Sequence, residues 1–279
     1  MSNTQILRGK HAVVFGAGGS IGSAVAREFA AEGAEVFLAG RTRSNVEEVT
    51  KGIVAADGRA HAAVIDALDD AAVNEYLDGV LKQSGSLDIV FNAVGPLIGE
   101  YRNTTLATDL RIEEFMTPLT TIVKSQFITA RAAARHMIKQ RSGVIIFLTG
   151  SPARGHVPGA TAIGAAFGAI ETLAENLAVE IGPAGVRAVC LRTTANTDSR
   201  TIQQTMDTLA GRMHITKDQA MAAMANLNFL KTPASVSDTA KAAVLLASDR
   251  ARFLTGTVAN FTAGAALDSY QIKGEAQAR

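Results

Sequence analysis

A glycine-rich segment near the amino terminus has the composition of a phosphate-binding turn. Residues 16–22 read Gly-Ala-Gly-Gly-Ser-Ile-Gly, after a short apolar run and before apolar residues at helical spacing. Glycine at a strand-to-helix turn lets backbone N–H groups and the positive end of the helix approach a pyrophosphate closely. A purely structural turn also favours glycine, but the position at the end of a first strand predicts dinucleotide binding.

The elements that would position this turn alternate regularly along the chain. Short apolar runs predict buried strands at His11–Phe15, Glu35–Ala39, Ala60–Ile65, Asp88–Asn92, Val144–Thr149, Val186–Leu191 and Thr257–Phe261. Helical spacing of apolar residues predicts helices at Ile21–Ala31, Val46–Ala56, Ala71–Gln83, Glu113–Gln140, Ala160–Ile181 and Val236–Leu246. This alternation predicts an α/β fold: a Rossmann-like, doubly wound parallel sheet of about seven strands with helices on both faces. Residues 1–279 are expected to form a single dinucleotide-binding domain.

One segment interrupts the alternation. Residues 193–231 are polar and contain methionines, and they follow the sixth strand, where sheets of this type open their ligand crevice. Two interpretations stay open: a helical flap over a substrate pocket, or an ordinary surface excursion.

Composition excludes several classes of protein. The 279 residues carry a formal net charge of +1, and 47% are hydrophobic but only 19% charged, which excludes a disordered chain. No Lys- or Arg-rich run predicts a nucleic-acid surface, and no unbroken apolar run reaches the roughly 18 residues of a membrane span. The single cysteine, Cys190, cannot form an internal disulfide, and the polar start has no signal-peptide character. We therefore expect a soluble, cytoplasmic protein that binds neither nucleic acid nor membranes.

The type of dinucleotide is indicated by the end of the second strand. A cofactor with a free ribose hydroxyl is usually held by an acid about 20 residues past the glycines. That position is Gly40, and it is followed by Arg41 and, two residues further on, Arg43. Because a guanidinium can pair with a 2′-phosphate and no carboxylate repels it, the sequence favours NADP(H) over NAD(H).

These features together resemble the short-chain dehydrogenase/reductase family. Its T-G-x-x-x-G-x-G motif is similar to residues 15–22, although Phe15 and Ser20 replace the threonine and the middle glycine. Residues 92–95, Asn-Ala-Val-Gly, resemble its N-N-A-G turn, and Gly256–Asn260 is similar to its last strand. The loop motif, the resemblance and the second-strand arginine give the predicted dinucleotide contacts, which are Gly16, Gly18, Gly19, Ser20, Ile21, Gly22, Arg41, Asp66, Asn92, Ala93 and Gly95.

The resemblance also implies a catalytic Ser-Tyr-Lys-Asn set, which this sequence lacks at the matching positions. The tyrosine and lysine positions fall on Ile163 and Phe167, and the asparagine position falls on Ile122. The serine position falls on Gly150, with Ser151 one residue beyond. The matching positions therefore predict an apolar floor beside the nicotinamide. This floor would either bind apolar or planar ligands or belong to a decayed site filled with core residues.

Other residues after the fifth strand could replace the missing acid. Ser151 and His156 are the candidate catalytic residues, as a polarising donor and a titrating group, with Arg154 between them. Tyr101, after the fourth strand, is a weaker candidate. Thr149 is expected to direct its hydroxyl to the backbone. No metal site is expected, because the five histidines are scattered.

Three functions remain open. The first is an NADP(H)-dependent oxidoreductase with a rebuilt acid, acting on a small organic substrate such as one with an activated C=C bond. The second is a non-redox cofactor-binding or regulatory protein, and the third is a dehydratase- or cyclase-like enzyme. The resemblance further implies a homo-oligomer, a dimer or tetramer, formed through Glu113–Gln140 and Ala160–Ile181.

Overall fold

Parallel strands form one seven-stranded sheet in the computed structural model, which describes residues 5–96, 100–101, 104–154 and 157–267. The strands are β1 (His11–Phe15), β2 (Glu35–Gly40), β3 (Arg59–Val64), β4 (Ile89–Asn92), β5 (Gly143–Gly150), β6 (Val186–Thr193) and β7 (Thr257–Phe261). Their order across the sheet is β3-β2-β1-β4-β5-β6-β7, so the direction of winding reverses beside β1. The predicted doubly wound fold is confirmed. Such a reversal places a ligand crevice at the carboxyl ends of β1 and β4.

Helices cover both faces of this sheet. They are α1 (Ser20–Ala31), α2 (Arg43–Ala55), α3 (Asp70–Ser84), α4 (Ile112–Pro118), α5 (Lys124–Gln140), α6 (Thr161–Ile181), α7 (Arg200–Met213), α8 (Lys217–Ala225) and α9 (Val236–Ala247). One apolar layer joins β1, β4 and β5 to α3, α5 and α6, and the other joins the opposite face to α1 and α9. Burial on both faces explains the near-continuous apolar composition of the central strands.

Two predicted elements differ from the structure. The expected helix Glu113–Gln140 is interrupted by a π-helical stretch, Leu119–Val123, directly after Pro118. Proline has no backbone N–H and cannot support the regular hydrogen-bond ladder, which accounts for a change of helix type there. The third strand is not buried on both faces as predicted. It lies at the sheet edge, and its Val64 side chain is 43% exposed.

The segment after the sixth strand is largely helical. It contains α7 and α8, which pack on each other through Met206, Ala210 and Ala220. Serine and threonine side chains start both helices: Ser199 accepts a hydrogen bond from the Ile202 N–H, and Thr216 accepts one from Gln219.

One stretch of the described chain, Thr161–Ala184, is long and apolar enough to cross a membrane, although it is not an unbroken apolar run. It comprises α6 and the turn that follows, and α6 packs against β5 and β6. A core helix of a Rossmann-like fold meets the same criteria of length and hydropathy.

Candidate active site

A cavity of about 440 Å³ lies at the carboxyl ends of β4, β5 and β6, and it extends to the start of α1. Its wall includes predicted dinucleotide contacts from two separate loops, which are Gly19, Ser20, Ile21, Gly22, Asn92, Ala93 and Gly95. Ile122, Gly150, Ser151, Ile163 and Phe167 also line it. The fold therefore brings the predicted cofactor loops and the predicted apolar floor to one space.

The glycine-rich turn is packed too closely for larger residues. Gly16 has a φ of +73°, and a β-carbon there would lie 2.8 Å from the Ala93 carbonyl carbon. A β-carbon on Gly22 would overlap the Gly16 carbonyl oxygen. Helix α1 has Gly19 as its N-cap and no side-chain cap, and its first turn has no acidic residue, so its first N–H groups remain available. This cradle fits the pyrophosphate of a dinucleotide.

The second loop is held by the Asn92 side chain. Its amide donates to the Thr129 hydroxyl at 2.9 Å, and its carbonyl oxygen accepts from the Val94 N–H at 2.8 Å. The buried Asn92 therefore fixes the turn that presents Ala93 and Gly95 to the cavity.

Four of the residues that were predicted to contact the cofactor lie outside the cavity wall. Gly16 and Gly18 form the inner part of the turn, whereas Arg41 and Asp66 are exposed at the ends of β2 and β3. The Asp66 carboxylate accepts from the Leu68 N–H at 3.0 Å. Both exposed residues lie on the β1–β2–β3 side of the crevice, away from the apolar floor.

The floor of the cavity is apolar and open. Ile163 and Phe167 are one turn apart on α6, and Ile122 comes from the π-helical stretch. A β-carbon at Gly150 would lie 3.0 Å from the Phe167 ring, so the ring packs directly against the end of β5. Ile122 and Ile163 also belong to the buried apolar cluster, and Phe167 packs against it, so a floor for apolar ligands and a decayed site filled with core residues both stay predictions.

An ion pair that the sequence analysis missed lies one helical turn beyond Phe167. Arg192 on β6 donates from Nε and Nη2 to the two carboxylate oxygens of Glu171, at 2.7 and 2.8 Å. Both side chains are almost fully buried. An arginine inside the apolar strand 186–193 was the available signal, because a buried charge requires a partner.

Thr149 belongs to the same polar cluster. The prediction that its hydroxyl bonds the backbone is wrong, because it donates to Glu171 at 3.3 Å and contacts the Cys190 thiol at 3.3 Å. A buried carboxylate is a stronger acceptor than a carbonyl already used by the sheet. Burial raises the pKa of Cys190 to about 12, so this thiol is not a nucleophile at neutral pH.

The remaining wall comes from the helical segment and from the loop after β4. Leu209, Met224 and Leu227 face the cavity from residues 193–231. The Arg200 N–H donates to the Ser20 hydroxyl at 3.1 Å, which joins the start of α7 to the glycine-rich turn. Tyr101 lines the cavity from the other side. His156, predicted as a catalytic candidate, lies outside the described residues.

Comparison with known proteins agrees with this architecture. A family model described as enoyl-(acyl carrier protein) reductase matches residues 16–266. The chain is 28% identical over 255 residues to short chain aldehyde dehydrogenase 1 of Euphorbia lathyris, covering 90% of this chain and 85% of that protein. It is also 28% identical over 264 residues to the peroxisomal 2,4-dienoyl-CoA reductase of Saccharomyces cerevisiae, covering 91% and 82% of the two chains.

The solved structure of NAD+-bound xylitol dehydrogenase has the same fold. It superimposes with a TM-score of 0.83 at 24% identity, covering 90% of this chain and 97% of that one. The chain belongs to the short-chain dehydrogenase/reductase family, as the resemblance in its sequence predicts, and its named relatives are oxidoreductases.

Proposed function

We propose that this protein is an NADP(H)-dependent reductase that acts on a small, mainly apolar substrate with a C=C bond conjugated to a carbonyl group. The observation that carries the proposal is one continuous cavity that runs from the glycine cradle to the apolar floor of Ile122, Ile163 and Phe167. The cofactor would supply a hydride. The residues of this chain would bind the pyrophosphate and orient the substrate.

The choice of a C=C bond follows from the chemistry of the floor. Reduction of a ketone requires a proton at oxygen, which the family's tyrosine supplies by resemblance, whereas Ile163 and Phe167 cannot exchange a proton. Reduction of a conjugated C=C bond adds the hydride to the β-carbon, and the π electrons move to give an enolate. Water can then protonate the α-carbon. The matched family description and the yeast relative support this reaction type, although the plant relative is named for an aldehyde.

The preference for NADP(H) rests on Arg41. This exposed residue follows β2 and forms no ion pair with the described residues, whereas Arg43 pairs with Glu47 at 3.3 Å. The free Arg41 guanidinium is available to a 2′-phosphate, and Gly40 offers no carboxylate to a 2′-hydroxyl.

Replacing Arg41 with alanine is expected to weaken NADPH binding about tenfold, the loss of one exposed charge-assisted contact of roughly 1.4 kcal/mol. NADH binding should not change, because NADH has no 2′-phosphate. Titration of cofactor fluorescence measures both affinities. Arg43→Ala serves as the matched control, since its guanidinium is engaged with Glu47. Equal effects of the two substitutions, or an equal loss for NADH, would contradict the assignment.

The reaction type is tested by comparing two aromatic substrates of similar size. Benzylideneacetone has the conjugated C=C bond, whereas acetophenone offers only a ketone. We expect NADPH oxidation with benzylideneacetone to have a kcat/KM at least roughly tenfold higher than with acetophenone. Only the reduction of the enone can be completed by protonation at a carbon atom. Identification of benzylacetone as the product completes the test. Reduction of acetophenone at a comparable rate would contradict the proposal. NADPH binding without turnover of either substrate would favour a non-redox protein.

Two further roles belong to this proposal. Residues 193–231 would act as the substrate flap, since Leu209, Met224 and Leu227 line the cavity. Ser151, the first residue after β5, would donate a hydrogen bond to the bound substrate. A homo-oligomer formed through α5 and α6 stays a prediction, and the exposed Phe127 and Val179 on these helices are consistent with it.

A further inference from the structure

Tyr101 is a buried phenol on the wall of the cavity. Its side chain is only 5% exposed and belongs to the same apolar cluster as Ile122 and Ile163, which line the cavity with it. The residue lies in the chain segment after β4, separated in sequence from every element of the floor. Only the fold brings it to this position.

Thr104, three residues after Tyr101 in the sequence, contacts both the start of α6 and α7. The Thr104 N–H donates to the Gly159 carbonyl at 3.0 Å, which ties the segment to the start of α6. Arg212 on α7 donates to the Thr104 carbonyl at 2.6 Å and to its hydroxyl at 2.9 Å. These contacts anchor Thr104 to the start of α6 and to α7.

The Tyr101 hydroxyl has no hydrogen-bond partner among the described residues. The hydroxyl oxygen is not one of the fully buried atoms that lack a partner, so it keeps some access to the cavity that the residue lines. A ligand in the cavity can provide the missing acceptor. Burial raises the pKa of Tyr101 to about 12, so at neutral pH the phenol keeps its proton and acts as a donor, not as a base.

We propose that the Tyr101 hydroxyl donates a hydrogen bond to the carbonyl oxygen of the substrate and stabilises the negative charge that develops there. This inference rests on the proposed function. As the hydride from NADPH adds to the β-carbon, the C=C electron pair moves and the carbonyl oxygen becomes an enolate oxygen. Water then protonates the α-carbon and leaves hydroxide, which the solvent neutralises; NADP+ remains, and Tyr101 keeps its own proton throughout. The Tyr101 hydroxyl, on the segment after β4, would thus replace the hydrogen-bond donor that α6 lacks at Ile163.

A matched pair of variants tests this role. Tyr101→Phe removes only the hydroxyl, and Tyr76→Phe makes the same change at a partly buried tyrosine whose hydroxyl oxygen is buried and lacks a partner in the described structure. Tyr76 packs edge-on against Phe15, with ring centroids 6.0 Å apart, and does not line the cavity. We expect Tyr101→Phe to lower kcat for benzylideneacetone about 100-fold, the usual effect of losing one donor to a developing oxyanion. NADPH affinity should be unchanged in both variants, and Tyr76→Phe should retain the wild-type kcat.

A spectroscopic measurement separates this inference from the reaction itself. Infrared difference spectra of benzylacetone bound to the NADP+-loaded protein report the carbonyl stretching frequency, which a hydrogen bond lowers. The lowered frequency should be present in the wild type and in Tyr76→Phe, and lost in Tyr101→Phe. If the shift is found but no enone is reduced, the proposed reaction fails and the Tyr101 contact stands. Wild-type kcat or a persistent shift in Tyr101→Phe, or failure of the wild type to bind benzylacetone, would overturn the inference.

Discussion

Replacing Gly22 with alanine is expected to weaken NADPH binding by roughly 1000-fold. The added β-carbon would overlap the Gly16 carbonyl oxygen, so the turn and the start of α1 must move apart. At least two charge-assisted hydrogen bonds from backbone N–H groups to the pyrophosphate would be lost. At about 2 kcal/mol each, these bonds amount to roughly three powers of ten in affinity.

The effect of Gly22→Ala should appear in binding and not in folding. Alanine is a better helix former than glycine by about 1 kcal/mol, which partly offsets the strain in α1. Fluorescence titration with NADPH gives the affinity, and thermal unfolding without cofactor gives the stability. Gly79→Ala is the control: Gly79 is also inside a helix, α3, but an added β-carbon there meets no atom within 4 Å. Wild-type affinity in Gly22→Ala would show that the turn does not hold the pyrophosphate.

Breaking the buried Glu171–Arg192 pair is expected to cost about 3–5 kcal/mol of unfolding free energy, because one charge would stay buried without its partner. Either Glu171→Gln or Arg192→Met would produce this loss. The bidentate bonds between these residues join α6 to β6, one helical turn from Phe167. Urea denaturation monitored by circular dichroism measures the change.

Two comparisons define what the Glu171–Arg192 ion pair contributes to the free energy of unfolding. The double variant Glu171→Leu/Arg192→Met leaves neither buried charge in place, and Arg154, which also contacts Glu171 at 3.5 Å, is 56% exposed to solvent, so this variant should be less destabilised than either single variant. Asp207→Asn removes one partner of an exposed pair with Lys217 at 2.9 Å, and should cost less than about 1 kcal/mol. If the buried substitutions cost no more than Asp207→Asn, the pair does not hold α6 in place.

Local patterns in the sequence predict most of the fold. The strands β1 and β7 begin and end at the predicted residues, and the glycine-rich turn lies where its composition requires. The interruption of the long helix at Leu119–Val123 was not predicted, because apolar periodicity does not distinguish an α-helix from a short π-helical stretch. The exposure of β3 depends on strand order, which a single strand does not reveal.

The sequence alone determined the class of protein, and it predicted apolar residues at the positions that match the family's proton relay. Alternating apolar runs and glycine spacing are local properties, because strand and helix geometry repeat every few residues. Only the tertiary structure decided that Tyr101 shares a wall with Ile163 and that Arg192 meets Glu171. These neighbours are distant in sequence, and their approach depends on loop paths and the packing of helices on the sheet, which no local pattern specifies.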